Sequence, residues 1–525
     1  MSQKTRRTFI KHTLALGALT ALAPRILRAD DEFDFIVIGA GSSGCVVVNR
    51  LTANPQNRVL LLEAGGPDSN PLIPVIGQWT SLTGSAVDWQ YATEPEPGLD
   101  GRSIAWPRGK TYGGSSAISA AAYVRGHRLD FDGWASVAGP SWSFRAVLPY
   151  FRKSENNVRG ASDFHGADGP MAVADTTDPH AGHEAFLAGA RDLGFAADPQ
   201  WDFNGAQQEN GAGFYQKNLK DGRRHSAADG FLKHILNRPN LTVRPWSQVK
   251  RLLFTGTRVT GVEYVRQSTV ETARATREVI LSAGAIESPK ILMLSGLGPA
   301  AHLREHGIAV VRDLPGVGAN LHDHPRIGMR WSGLTTLPGS SVSAGLLAHS
   351  GFHKGAPDLQ FYVGRGLSAP DTAIAFSVVV SRPHSRGALR LRSNDPLAAP
   401  VIQAGYFSEP RDMDVAVEGV RLARAIAHTK GYERLRGPAE SPLESEVTPA
   451  QIRAFIRRTA GTIYHPGGTC RMGQDDGAVV DSQLRVRGID GLRVADASIM
   501  PTVVNSQTHA ACVMIGERVA EFVTY

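Results

Sequence analysis

Phe33-Asp-Phe-Ile-Val-Ile38 runs without a break into Gly39-Ala-Gly41-Ser-Ser-Gly44, and then into Cys45-Val-Val-Val-Asn-Arg-Leu51. The first six residues read as a buried strand and the last seven as a helix. Arg58-Val-Leu-Leu-Leu-Glu63 follows as a second strand that ends in an acid. This is a whole βαβ unit with its glycines at the strand-to-helix turn, not a bare glycine pattern. Gly39 permits the tight turn, Gly41 lets a pyrophosphate approach the backbone, and Gly44 lets the helix close on the strand. The helix N-terminus around Ser43 offers free N–H groups to phosphate. Glu63 stands 24 positions after Gly39, where a carboxylate suits ribose hydroxyls. The unit predicts dinucleotide binding, and by itself it does not separate FAD from NAD.

Upstream of this unit, residues 1–29 carry Lys4, Arg6, Arg7, Lys11, Arg25 and Arg28 and no acid. These six cations make up most of the net charge of +7, so the remaining chain is nearly neutral and gives no electrostatic case for nucleic acid. Thr5-Arg-Arg-Thr-Phe-Ile-Lys11 precedes an apolar run from Leu14 to Ala23 that is too short to span a bilayer. The paired arginines resemble a twin-arginine (Tat) signal, with Ile10 where Leu is usual. That resemblance implies a signal peptide over 1–29 and a periplasmic or secreted protein, exported already folded around its cofactor. No later segment reads as transmembrane. The length of 525 residues suggests two or three domains. Hydrophobic and charged fractions of 42% and 20% are those of a globular enzyme with a sizeable core. Cys45, Cys470 and Cys512 are odd in number and widely spaced, so no disulfide framework or zinc spacing is readable.

Four further segments lie downstream. They are Trp106-Pro-Arg-Gly-Lys-Thr-Tyr-Gly-Gly-Ser-Ser116, Gly284-Ala-Ile-Glu-Ser-Pro-Lys-Ile-Leu-Met-Leu-Ser-Gly-Leu-Gly298, Val317-Gly-Ala-Asn-Leu-His-Asp-His324 and Tyr464-His-Pro-Gly-Gly-Thr-Cys-Arg-Met-Gly473. Together and in this order they resemble the glucose–methanol–choline (GMC) oxidoreductase family, from about Phe33 to the C-terminus. The resemblance implies FAD rather than NAD. It places cofactor contacts at Gly39, Gly41, Ser43, Gly44, Glu63, Trp106, Arg108, Gly113, Gly114, Ser115, Ser116, Ser119, Val249, Ala283, Gly284, Asp496, Ala497, Thr508 and His509. Gly113 and Gly114 also make sense alone, as a loop pressed against a flat ring, and Ser115 and Ser116 are suited to donate to phosphate or flavin oxygens. Members with covalently attached flavin carry histidine where this chain has Ile118, so non-covalent FAD is expected. Tyr112, in place of an aliphatic residue, and Ser119, in place of Asn or His, are further departures.

Because these motifs are scattered, the fold expected is α/β: a discontinuous Rossmann-like FAD-binding domain with an α+β substrate-binding domain, its sheet backed by helices. The first is assigned to 33–155, 210–325 and 465–525, the second to 156–209 and 326–464. Ile374–Val380 and Ala388–Arg392 read as strands. Asp412–His428 reads as a helix with Met413, Val417, Val420, Ala423 and Ala427 on one face, and Thr508–Val523 as another.

Oxidising an alcohol requires a base for the hydroxyl proton and an acceptor for the carbinol hydride, and histidine titrates in the right range for the base. The resemblance places the catalytic base at His465. A second catalytic group falls at Gln507, if aligned without gaps from Pro501, or at His509, if the register shifts locally. In the first case Gln507 orients the substrate hydroxyl and His509 faces the flavin pyrimidine edge. His322 and His324 alone make a poor metal site, and no metal is expected. Trp89, Phe361, Tyr362 and Tyr464 are candidates for a partly apolar pocket wall. The activity implied is FAD-dependent oxidation of a small-molecule alcohol, with oxygen, a quinone or a cytochrome as electron acceptor. The alternative is a non-redox lyase of the hydroxynitrile lyase type, which the Asn505-Ser506 pair resembles locally.

Overall fold

Glu32–Ile38 is the central strand of a seven-stranded sheet. It pairs in parallel with Val59–Leu62 on one side and with Thr269–Leu281 on the other. Leu241–Arg244 extends the sheet beyond Val59–Leu62, and Leu492–Val494 extends it beyond the end of Thr269–Leu281. These five strands are parallel, so both faces must be covered. Ile36, Val37, Leu60, Leu61 and Ile280 are accordingly fully buried. The first half of Thr269–Leu281 diverges into an antiparallel arm with Arg258–Arg266, which in turn pairs with Ser247–Thr255. The computed structural model describes residues 32–176, 179–335, 343–365 and 372–524. The export signal expected over residues 1–29 lies outside them.

A second, eight-stranded sheet runs in the order Arg436–Ser441, Pro325–Gly333, Ile374–Val380, Leu359–Arg365, Ala344–Ala348, Gly211–Phe214, Ala196–Ala197, with Gly461–Thr462 also on Pro325–Gly333. Alternation decides its two faces. Ile327, Met329, Phe361, Val363, Phe376 and Val378 point one way, into the main core. On that side the sheet is backed by the helices Ala181–Asp192 and Pro410–Ala427. Met413, Val417, Val420, Ala423 and Ala427 are all buried there, as the helical period requires. Arg326, Ser377 and Tyr362 point the other way, toward the cleft described below.

Two expectations are corrected. Gly211–Phe214, inside the 210–325 segment assigned to the nucleotide domain, is a strand of the second sheet, paired with Ala344–Ala348. Its Gly-Ala-Gly-Phe composition has no strand signature, and long-range pairing decides its place. Ala388–Arg390 is a strand but forms a separate ribbon with Val401–Gln403.

The glycines of the first turn are set by close packing. A Cβ on Gly44 would lie 1.9 Å from the Gly39 carbonyl oxygen, with no flexible group to yield. Gly44→Ala is therefore expected to push the helix Ser42–Leu51 off its strand. It should lower unfolding stability by about 1–3 kcal/mol and weaken FAD binding by about tenfold or more. Gly77→Ala, where a Cβ meets nothing within 4 Å, should do neither. Thermal melts and flavin titration of the two variants check this.

Candidate active site

A long cleft runs between the two sheets, from the turn Gly39–Ser43 to Tyr362 and Ser377 on the second sheet. At one end lies the N-terminus of the helix Ser42–Leu51. Its N-cap, Gly41, supplies no side chain to the free N–H groups, and its first turn holds no acid. A Cβ on Gly41 would meet nothing nearer than Ser282 O at 3.9 Å, so the space above it is open. Gly114 lies directly on this turn: a Cβ there would be 2.8 Å from Gly41 Cα. Unopposed N–H groups beside a floor without side chains fit a pyrophosphate. Glu63 is buried beside them, its two oxygens accepting from Ala40 N at 2.8 Å and Gly65 N at 2.7 Å. Burial pushes its carboxyl up, and those two N–H groups oppose the shift.

Of the sequence-derived cofactor positions, Gly39, Gly41, Ser43, Glu63, Arg108, Gly114, Ser115, Ser116, Ser119, Val249, Ala283, Gly284, Asp496, Ala497, Thr508 and His509 line this cleft. Three do not. Gly44 is consumed by helix–strand packing, and Gly113, at φ +84°, faces Ser226 and Ala228. Trp106 is buried and donates from Nε1 to the Tyr406 hydroxyl at 3.0 Å. The Ser116 hydroxyl, expected to donate to a ligand, is already engaged with Gly113 O, and the Ser43 hydroxyl donates to Cys512 O. Of the four aromatic candidates, Trp89, Tyr362 and Tyr464 line the cleft. Phe361 points to the opposite face of its strand, into the core.

His465 sits where the cleft passes between the sheets, held by a buried network. Its N–H donates to Asp323 Oδ1 at 2.7 Å. Asp323 also accepts from the Thr462 and Tyr406 hydroxyls, so Trp106 braces His465 through Tyr406. The preceding residue, Tyr464, has φ +70°, a left-handed conformation costing of order 1 kcal/mol for a bulky residue. It is pinned by Tyr464 N to Thr462 Oγ1 at 2.6 Å and by Arg108 Nη2 to Tyr464 O at 2.7 Å. The His465 ring meets His324 nearly at right angles, with the two Nδ1 atoms 3.0 Å apart. Burial holds the His465 imidazole well below its ordinary value of 6.5, and His324 and Arg108 add to this. Burial likewise lowers His324, to about 3. His322 spends both ring nitrogens on backbone, Asn320 O at 2.7 Å and Val503 N at 2.6 Å. Among the described residues, no three His, Cys, Asp or Glu side chains group as a metal site would require.

Gln507 and His509 part company. Gln507 Nε2 donates to the Tyr362 hydroxyl at 2.5 Å, so its amide belongs to the substrate-sheet side. His509 Nδ1 lies 2.8 Å from Ser42 Oγ, tying the N-terminus of the helix Thr508–Thr524 to that of Ser42–Leu51. Burial, with Arg224 adding, lowers its ring to about 4. Asp323, His324 and Arg326 were not singled out from the sequence as parts of the site. Their role is set by contacts with residues some 140 positions away.

The comparisons agree with this geometry. The GMC oxidoreductase N-terminal model matches residues 33–326 and its C-terminal model residues 383–516. An "alcohol dehydrogenase [acceptor]" of Pseudomonas putida is 39% identical, over 94% of this chain and 95% of its own. The mitochondrial choline dehydrogenase of Mus musculus is 40% identical, over 94% of this chain and 89% of its own. The crystal structure of pyridoxine 4-oxidase from Mesorbium loti superposes with a TM-score of 0.89 at 32% identity, covering 93% of this chain and 98% of that one. A cleft of this shape, a histidine seated across it and motif matches along most of its length show that the chain belongs to the GMC oxidoreductase family.

Proposed function

We propose that this FAD-dependent oxidoreductase oxidises an alcohol to an aldehyde or ketone with His465 as the base. The observation that carries the reading is the His465–His324 contact. Two nitrogens 3.0 Å apart require one donor and one acceptor. Burial keeps His324 uncharged. With His324 accepting, His465 holds its own proton on Nδ1 and presents a bare Nε2. That is the tautomer a general base needs, and it accepts the hydroxyl proton as the carbinol carbon releases hydride. FAD, when bound along the glycine floor, supplies the hydride acceptor. Gln507, steadied by Tyr362 and by Ser506 at 2.8 Å, orients the substrate hydroxyl. His509, uncharged and at a helix N-terminus, would hold the pyrimidine end of the flavin. Nothing favours the lyase alternative: the named relatives are dehydrogenases and oxidases.

Ile118 is buried and lines the cleft where a covalent tether would need a nucleophile, which supports dissociable FAD. The Arg6-Arg7 signal supports twin-arginine export to the periplasm, where a quinone or cytochrome is the natural electron acceptor.

Four outcomes are expected. Anaerobic mixing of the holoenzyme with an alcohol panel should bleach the flavin, and His465→Ala should slow this by about 10²–10⁴-fold while keeping FAD bound. Because the pKa of His465 is depressed, its base form persists as pH falls through 6.5, and kcat/KM should decline only at lower pH. Cyanohydrin cleavage without bleaching would instead establish the lyase. Acid precipitation should leave all flavin in the supernatant; yellow protein in the pellet contradicts non-covalent binding. Finally, Arg6→Lys with Arg7→Lys should retain the protein in the cytoplasmic fraction, and unchanged export would rule out the twin-arginine route.

A further inference from the structure

We propose that the alcohol oxidised here carries a carboxylate, and that Arg326 binds it. This rests on the oxidation reading above and names its substrate class. Arg326 is half-buried and lines the cleft together with His465, Gln507, Tyr362 and Ser377. It follows His324, the partner of His465, by two residues, and its backbone pairs with Gly461, four residues before the base. Its strand neighbours Ile327 and Met329 enter the core, so alternation turns Arg326 toward the reacting centre.

What sets Arg326 apart is its lack of a counter-ion. On the same strand Arg330 is matched to Glu440 at 2.7 Å, and nearby Arg382 to Asp130. Arg108 also lines the cleft without an ion pair among the described residues, but it is spent on the backbone oxygens of Pro107 and Tyr464. Arg326 makes one hydrogen bond, from Nη1 to Ser377 Oγ at 3.1 Å, and among the described residues no carboxylate lies within ion-pair distance. A guanidinium has five N–H donors in a planar fork that matches a carboxylate. The space beside it is kept open: Gly328, next on the same face, has no side chain, and a Cβ there would stand 3.7 Å from Nη1. A half-buried cation without a partner is costly, and a bound anion offsets that cost. Trp79, Ile118, Ile463 and Tyr464 add apolar and aromatic lining to the cleft. The chemistry recognised is an alcohol with an apolar body and a carboxylate end. A cationic alcohol such as choline would bring like charge to Arg326.

The test uses FAD-loaded protein and two isosteric pairs. Benzoate and benzamide are titrated by their perturbation of flavin absorbance, and 4-(hydroxymethyl)benzoate and its amide are compared by anaerobic flavin reduction. The acid form is expected to be favoured by about tenfold or more in Kd and in kcat/KM, with the preference shrinking as salt rises. Arg326→Gln should bring both ratios close to one, and Arg326→Glu should invert them in favour of the amides. Equal binding of benzoate and benzamide, or an acid preference that survives Arg326→Gln, overturns the proposal. If the amide reduces the flavin as well as the acid does, the proposal falls while alcohol oxidation stands. If only panel alcohols without a carboxylate reduce it, the proposal falls while alcohol oxidation stands; if no alcohol of the panel reduces it, the oxidation reading falls and takes this one with it.

Discussion

The molecule is organised around a place where backbone meets backbone. At the turn Gly39–Gly44, three chain segments approach without side chains between them. Gly44 closes on Gly39, Gly114 rests on Gly41, and a Cβ on Gly39 would stand 2.5 Å from Ser282 O. Gly113 N then donates to Ala40 O at 2.8 Å and locks the second loop onto the first. This packing gives the cofactor cleft a flat floor and leaves the N–H groups of the helix Ser42–Leu51 facing it. Larger residues would fill the space a pyrophosphate needs. The parallel sheet exists to hold this turn, and its two buried faces carry the cost of holding it.

The base is seated by a different kind of constraint. His465 follows a left-handed tyrosine and is fixed through its own N–H rather than by packing alone. Its anchor, Asp323, gathers Thr462 and Tyr406 as well, and Tyr406 brings in Trp106. Burial disfavours charge on Asp323, His324 and His465 alike. The network therefore works with uncharged imidazoles, and proton position, rather than net charge, distinguishes its states. A base built this way is ready at neutral pH without a carboxylate bonded to its ring.

The second sheet contributes the other wall. Its alternation sends one set of side chains to the helical layer and leaves Arg326, Ser377 and Tyr362 for the substrate. His324 and Arg326 stand two residues apart on one stretch of chain. Gln507 bridges the halves, since it begins the approach to the C-terminal helix and bonds to Tyr362 across the cleft.

By itself the sequence determined the βαβ unit, the strand at Ile374–Val380, the helices at 412–428 and 508–523, and the candidate base at His465. Each of these is written in local spacing: glycines at a turn, an apolar period, a short motif. It could not decide that Trp106 braces Asp323, that Gly211–Phe214 joins the far sheet, or that Gly113 faces away from the cleft. Nor could it place the side chains of Gln507 and His509, which lie two residues apart and reach opposite sides of the cleft. The tertiary structure decided these because a buried polar group takes its role from the partner that satisfies it, and those partners come from distant parts of the chain. Arg326 is the converse case: only the folded arrangement reveals that it lines the cleft with one hydrogen bond, to Ser377, and no ion pair among the described residues.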